Sequence, residues 1–138
     1  MKTVVATGVF DIIHPGHLMF LEEARRLGDR LIVIVACDNT AETRKRKPLI
    51  PESQRLAIVK ALKPVDDAVL GDTEDFIKPI REIRPDVIAL GFDQHVDEEE
   101  LRNQLRMLGI KTNIVRVKAH WDGPINASKK IHDRIKTL

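Results

Sequence analysis

Residues 3–38 read TVVATGVFDIIHPGHLMFLEEARRLGDRLIVIVACD: two apolar runs on either side of a helical pattern. TVVATGVF (3–10) is apolar and β-branched on consecutive positions, as in a strand buried on both faces. In HLMFLEEARRLG (17–28), Leu18, Leu21, Ala24 and Leu27 fall at helical spacing, and Gly28 is the expected C′ residue. RLIVIVACD (30–38) is a second strand of the first kind. Strand, helix and strand in succession predict a βαβ unit with parallel strands.

The alternation continues along the chain. Residues 39–51, polar and basic and then punctuated by proline, read as a loop. Pro51 opens a helix in ESQRLAIVKAL (52–62). DDAVLG (66–71) reads as a short strand, and TEDFIKPIREIR (73–84) as a helix capped by Thr73, with Pro79 able to kink it. DVIALGFD (86–93) is a fourth strand. DEEELRNQLRMLG (97–109) is a helix whose acidic first turn suits the dipole, with Asp97 as the better cap. KTNIVRVK (111–118) is a fifth strand and SKKIHDRI (128–135) a last helix. The expected architecture is an α/β fold, a Rossmann-like three-layer α/β/α sandwich on a five-stranded parallel sheet, with 1–138 as a single domain. Ligands of such sheets bind beyond the carboxyl ends of the strands, where strand order reverses.

Composition limits the function. A net charge of +2 and 4% aromatic residues argue against a nucleic-acid partner. The single cysteine, Cys37, allows no disulfide within the chain; set in an apolar run, it reads as a packed core residue of a cytoplasmic protein. The N-terminal apolar run is too short for a signal peptide, and no segment is apolar enough to span a bilayer.

The first strand's loop carries Gly8, Asp11, His14, Pro15, Gly16 and His17. Gly8 would let a ligand approach the backbone closely. Pro15 and Gly16 make a tight helix entry whose outward N–H groups favour an anion. His14 and His17 add donors that can follow charge between phosphate oxygens. A structural pair of histidines and a metal site with Asp11 are the other two readings. In the second loop Arg44, Lys45, Arg46 and Lys47 could neutralise a triphosphate, or form a solvated charge run. Arg55 would face the substrate, or pair with Asp66 or Asp67. After the fourth strand, Gly91, Asp93 and Gln94 are placed to contact a base or ribose. Asn126 or Ser128 could cap the last helix, whose backbone donors suit phosphate.

TGVFDIIHPGHLMFLEEARRLGD (7–29), VACD (35–38), IPESQR (50–55) and PDVIALGFDQ (85–94) resemble, in order, the HxGH nucleotidyltransferase superfamily and its cytidylyltransferase-like branch. KRKPLIPESQRLAIVKALKPVDDAVLG (45–71) and RPDVIALGFDQ (84–94) most resemble archaeal-type FAD synthases, which are similar to glycerol-3-phosphate cytidylyltransferases. The resemblance implies direct transfer of a nucleoside monophosphate from an NTP to a phosphorylated acceptor, with Mg²⁺ or another divalent metal and release of pyrophosphate. AMP passing from ATP to FMN is the first expectation; CTP with glycerol 3-phosphate or a related phospho-alcohol is the alternative. It assigns catalysis to His14, His17, Arg44 and Arg46. Nucleotide contacts fall to Val9, Phe10, Asp11, Pro15, Gly16, Gly91, Asp93 and Ser128, and relatives imply a homodimer. Asp11 would either order its loop or help to position the metal. A non-catalytic nucleotide sensor is a further alternative, disfavoured by the intact HxGH and basic run. The region AHWDGPINASKKI (119–131) departs from the cytidylyltransferase motif: its arginine is absent and its spacing longer. Lys118 and His120 are the nearest substitutes there, and Trp121 could stack on a base or a flavin. This leaves room for ATP in place of CTP.

Overall fold

Thr3–Gly8 forms the central strand β1 of the computed structural model, which describes residues 1–44, 47–92, 94–118, 121–125 and 127–138, with Arg44 and Ser128 described in backbone only. The following elements are α1 (Pro15–Arg25), β2 (Arg30–Val35), α2 (Asp38–Arg44), α3 (Glu52–Lys60), β3 (Asp67–Leu70), α4 (Lys78–Ile83), β4 (Val87–Gly91), α5 (Glu98–Met107), β5 (Asn113–Val117) and α6 (Ser128–Lys136). The strands make one sheet in the order β3-β2-β1-β4-β5, parallel at every pairing. Successive strands step outward from β1 to β2 and β3, and the chain then returns to β4 on the other side. The reversal falls between β1 and β4, so their carboxyl-end loops frame the crevice where such sheets take ligands.

Period-two alternation divides the core. Val4, Ala6, Leu31, Val33, Val35, Val87 and Ala89 pack on one face with Leu21 and Ala24 of α1 and Val59 of α3. Val5, Ile32, Ile34, Ile88 and Leu90 pack on the other with Ile80 of α4 and Leu101 and Leu105 of α5. Helices thus cover both faces, which is why these strands are apolar without interruption. Truncating a fully buried leucine such as Leu21 to alanine would cost about 2–5 kcal/mol. No helix among the described residues is long and apolar enough to cross a membrane.

Four local expectations are corrected. Residues 38–44 are helical, because Ala41 is buried and Asp38 is held at the helix start. The fourth helix begins at Lys78 rather than Thr73, and Pro79 lies in its first turn, where its missing N–H has no helical partner to lose. Gly28 is not the C′ residue of α1, whose C-cap is Arg26; a Cβ at Gly28 would lie 2.7 Å from the Lys2 carbonyl oxygen. The N-cap of α6 is Ala127, with no side-chain bond, and Ser128 is the first helical residue; Asn126 lies outside the described residues.

Candidate active site

Between β1 and α1 the chain turns on Phe10, whose φ of 53° is a left-handed conformation that costs a non-glycine residue energy. Its ring is buried and covers Gly8, where an added Cβ would lie 2.7 Å from Phe10 Cε2. Gly8 therefore makes room for Phe10; the expected ligand approach at Gly8 is replaced by an aromatic side chain. The same ring packs on His17, with centroids 5.3 Å apart.

His14 is the N-cap of α1, in extended backbone conformation. Gly16 N–H donates to His14 Nδ1 at 3.1 Å, and His14 N–H donates to His17 Nδ1 at 3.2 Å. This is a capping box made of two imidazoles in place of the usual Ser/Thr and Glu. It corrects the expectation of outward-facing N–H groups: those of His14 and Gly16 are used by the cap, and that of His17 donates to the His14 carbonyl. An Nδ1 that accepts carries no hydrogen, so each neutral ring carries its hydrogen on Nε2. The rings stack with centroids 3.8 Å apart and planes inclined by 31°.

Asp11 is buried and uses both carboxylate oxygens. Oδ2 accepts from Leu49 N–H at 3.0 Å and Oδ1 from Ile50 N–H at 2.9 Å. Its structural work is to tie the segment after the basic run to the first loop. Among the described residues, no group of three or more His, Cys, Asp or Glu is placed to hold a metal ion.

Arg55 faces neither solvent nor Asp66 and Asp67. It is fully buried, and Asp66 instead pairs with Arg25 at 3.0 Å. Arg55 Nε donates to the Ile50 carbonyl at 2.8 Å, and Nη1 to the carbonyls of Val9 and Ala36, each at 2.7 Å. Its Nη2 meets Asp38 Oδ1 at 2.7 Å. Asp38 N–H donates to Glu52 Oε1 at 2.9 Å, and Glu52 N–H returns to Asp38 Oδ2 at 3.3 Å. The hydrogen bond from Arg55, followed by that from the Glu52 backbone, holds the Asp38 carboxyl below the usual range. Cys37 is buried as expected, with Sγ 3.1 Å from Thr40 Oγ1.

At the end of β4, Gln94 is an internal brace. Its Oε1 accepts from Gly91 N–H at 2.6 Å and its Nε2 donates to the Thr7 carbonyl at 3.2 Å, bridging β4 and β1. Arg116 of β5, which the sequence reading passed over, donates from Nη1 to the carbonyls of Gly91 (2.8 Å) and Gln94 (2.6 Å). Its Nη2 lies 2.9 Å from Glu98 Oε1. Asp93, Lys45, Arg46 and His120 lie outside the described residues, as do the side chains of Arg44 and Ser128. Val9, Phe10, Asp11, His14, Pro15, Gly16 and His17 are gathered in the loop after β1 and the first turn of α1. Gly91 ends the neighbouring β4, across the reversal point.

The family model for cytidylyltransferase-like proteins matches residues 5–133. A protein of Ferroglobus placidus named FAD synthase is 60% identical over 138 residues, which are all of this chain and 90% of that protein. A protein of the same name from Methanocella paludicola is 54% identical over 99% of this chain and 97% of its own length. Among solved structures, one described as the lipopolysaccharide core biosynthesis protein of Thermoplasma volcanium superposes with a TM-score of 0.85 at 46% identity. It covers 88% of this chain and 99% of its own. With a parallel sheet reversing at β1/β4 and an imidazole-capped α1 in the crevice, the chain belongs to the cytidylyltransferase-like family.

Proposed function

We propose that this chain is an FAD synthase, a nucleotidyltransferase that moves AMP from ATP to FMN. A phosphate oxygen of FMN attacks the α-phosphorus of ATP. The new P–O–P bond forms as the α–β bridge breaks, and pyrophosphate leaves with the electron pair. The observation that carries the phosphoryl-transfer reading is the stacked His14–His17 pair, set by its own capping bonds at the head of α1. The choice of ATP and FMN is supported by the full-length relatives that carry the name FAD synthase.

The chain's own residues supply position and charge. His14 and His17 donate from Nε2 to oxygens of the triphosphate, where donors aimed at developing charge act most strongly. Arg44 and Arg46 neutralise the leaving pyrophosphate. The backbone of Val9 and Phe10, with Asp11, Pro15 and Gly16, frames the phosphate side. Gly91 and Asp93 contact the nucleoside, and the start of α6 at Ser128 offers backbone donors to phosphate. A divalent cation, Mg²⁺ or another, would neutralise phosphate charge when bound. The donor set fits a cation carried largely by the nucleotide's own oxygens, since no group of three or more His, Cys, Asp or Glu among the described residues is placed to cage one. By analogy with relatives, the working form is a cytoplasmic homodimer acting on free small molecules.

ATP labelled at the α-phosphate tests the route. All label should pass to FAD with none retained on protein; a labelled protein intermediate would contradict direct transfer.

A further inference from the structure

Arg55 is the one fully buried charged residue among the described residues, and the transfer chemistry does not call on it. Its acceptors lie on three different segments at the carboxyl edge of the sheet: Val9 after β1, Ala36 and Asp38 after β2, and Ile50 before α3. One of these bonds bears on the histidines, together with the backbone bonds to Asp11. Arg55 holds the Val9 carbonyl, and Leu49 and Ile50 hold Asp11, so Phe10 is tethered on both sides. A left-handed non-glycine residue persists only where its surroundings over-determine it. Phe10 in turn packs on His17. Two others bear on the cationic run: Asp38 begins α2, which leads into Arg44, and Ile50 closes the segment that follows Lys47.

Stability alone is a poor reason for this arrangement. Burying an ion costs several kcal/mol, and replacing buried ionic groups with apolar ones is often neutral or stabilising. What only arginine supplies is a planar fork reaching several acceptors in fixed directions. We propose that Arg55 is a positioning residue for the transfer: one guanidinium fixes the His14–His17 loop and both described flanks of the cationic run relative to each other. The proposal rests on the function proposed above.

Arg55→Lys and Asp38→Asn test it, the second at a half-exposed position where folding is the easier to keep. Each variant is measured for its unfolding transition, for kcat and KM with ATP and FMN, and for trypsin cleavage within residues 44–47. In fully folded enzyme, kcat should fall at least about tenfold, since displacing a reacting group by about 1 Å can cost about 10²-fold. The KM for FMN should change little by comparison. Trypsin should cut the run faster than in the wild type, because its flanks are no longer pinned. Unchanged kcat, or a loss that only tracks the unfolded fraction, overturns the proposal. If the wild-type chain forms no FAD, the functional reading falls by itself. The trypsin pattern then decides on Arg55, and equal cleavage in wild type and folded variants contradicts the positioning role.

Discussion

His17 Nδ1 accepts the backbone N–H of His14 at 3.2 Å, and the two rings stack 3.8 Å apart. The pair proposed to grip phosphate is therefore also the cap of the helix that carries it. Bonding at Nδ1 fixes the tautomer, and so which ring edge has a donor to offer.

These two roles separate by substitution. His17→Ala should lower turnover by about 10²–10³-fold, as for the loss of one donor to developing charge. The lost cap should cost only about 0.5–2 kcal/mol. His14→Asn keeps a good N-cap residue but removes the imidazole, so its melting temperature should stay close to wild type while turnover falls. Steady-state rates beside thermal melts check both. An active His14→Asn enzyme would reduce His14 to a cap.

Asp11→Asn replaces one acceptor with an NH₂ group that faces the N–H of Leu49 or Ile50. Leaving one such group unsatisfied should cost about 1–3 kcal/mol. Because the carboxylate is engaged with backbone, the Mg²⁺ concentration for half-maximal activity should not move. A large rise in that concentration, in folded protein, would restore Asp11 as a metal ligand.

Asp38 titrates below its usual range because Arg55 bonds to it. A carboxyl with a depressed folded-state pKa contributes stability that is fully present above the unfolded value, about 3.9, and is lost as pH falls through the folded one. Asp38→Asn should thus be less stable than wild type at neutral pH, and the difference should shrink below about pH 4. Urea unfolding across pH 3–7 measures it. A difference that stays constant across that range would mean that the carboxylate's charge is not what stabilises.

Gly8→Ala places a Cβ against the buried Phe10 ring. Overpacking of this kind costs about 1–3 kcal/mol. Since Phe10 also packs on His17, turnover in the folded variant should fall further than stability implies. Rates normalised to folded protein check this, and wild-type rates would show that Phe10 does not support His17.

The five parallel strands and the placement of HPGH at the head of α1 were legible because they rest on local patterns, whereas the strand order came only with the structure. Uninterrupted β-branched runs mark buried parallel strands, and Asp97 was readable as a cap from its place before an acidic first turn. Arg55 and Arg116 were not legible in their actual roles. Within ESQRLAIVKAL an arginine has the pattern of a surface cation, and its four acceptors lie 5 to 46 residues away. Gly8 was misread for the same reason: what fills the space above it is a ring two residues on, held by a backbone angle that periodicity does not encode. The polar composition of 39–44 hid α2, whose only buried apolar anchor is Ala41.

Incubating the protein with Mg²⁺, FMN and ATP, beside parallel reactions containing CTP and glycerol 3-phosphate, and separating the products decides which transfer the protein performs. FAD and pyrophosphate should form in equal amounts from ATP and FMN. CDP-glycerol from CTP and glycerol 3-phosphate, with no FAD, would contradict the proposed function.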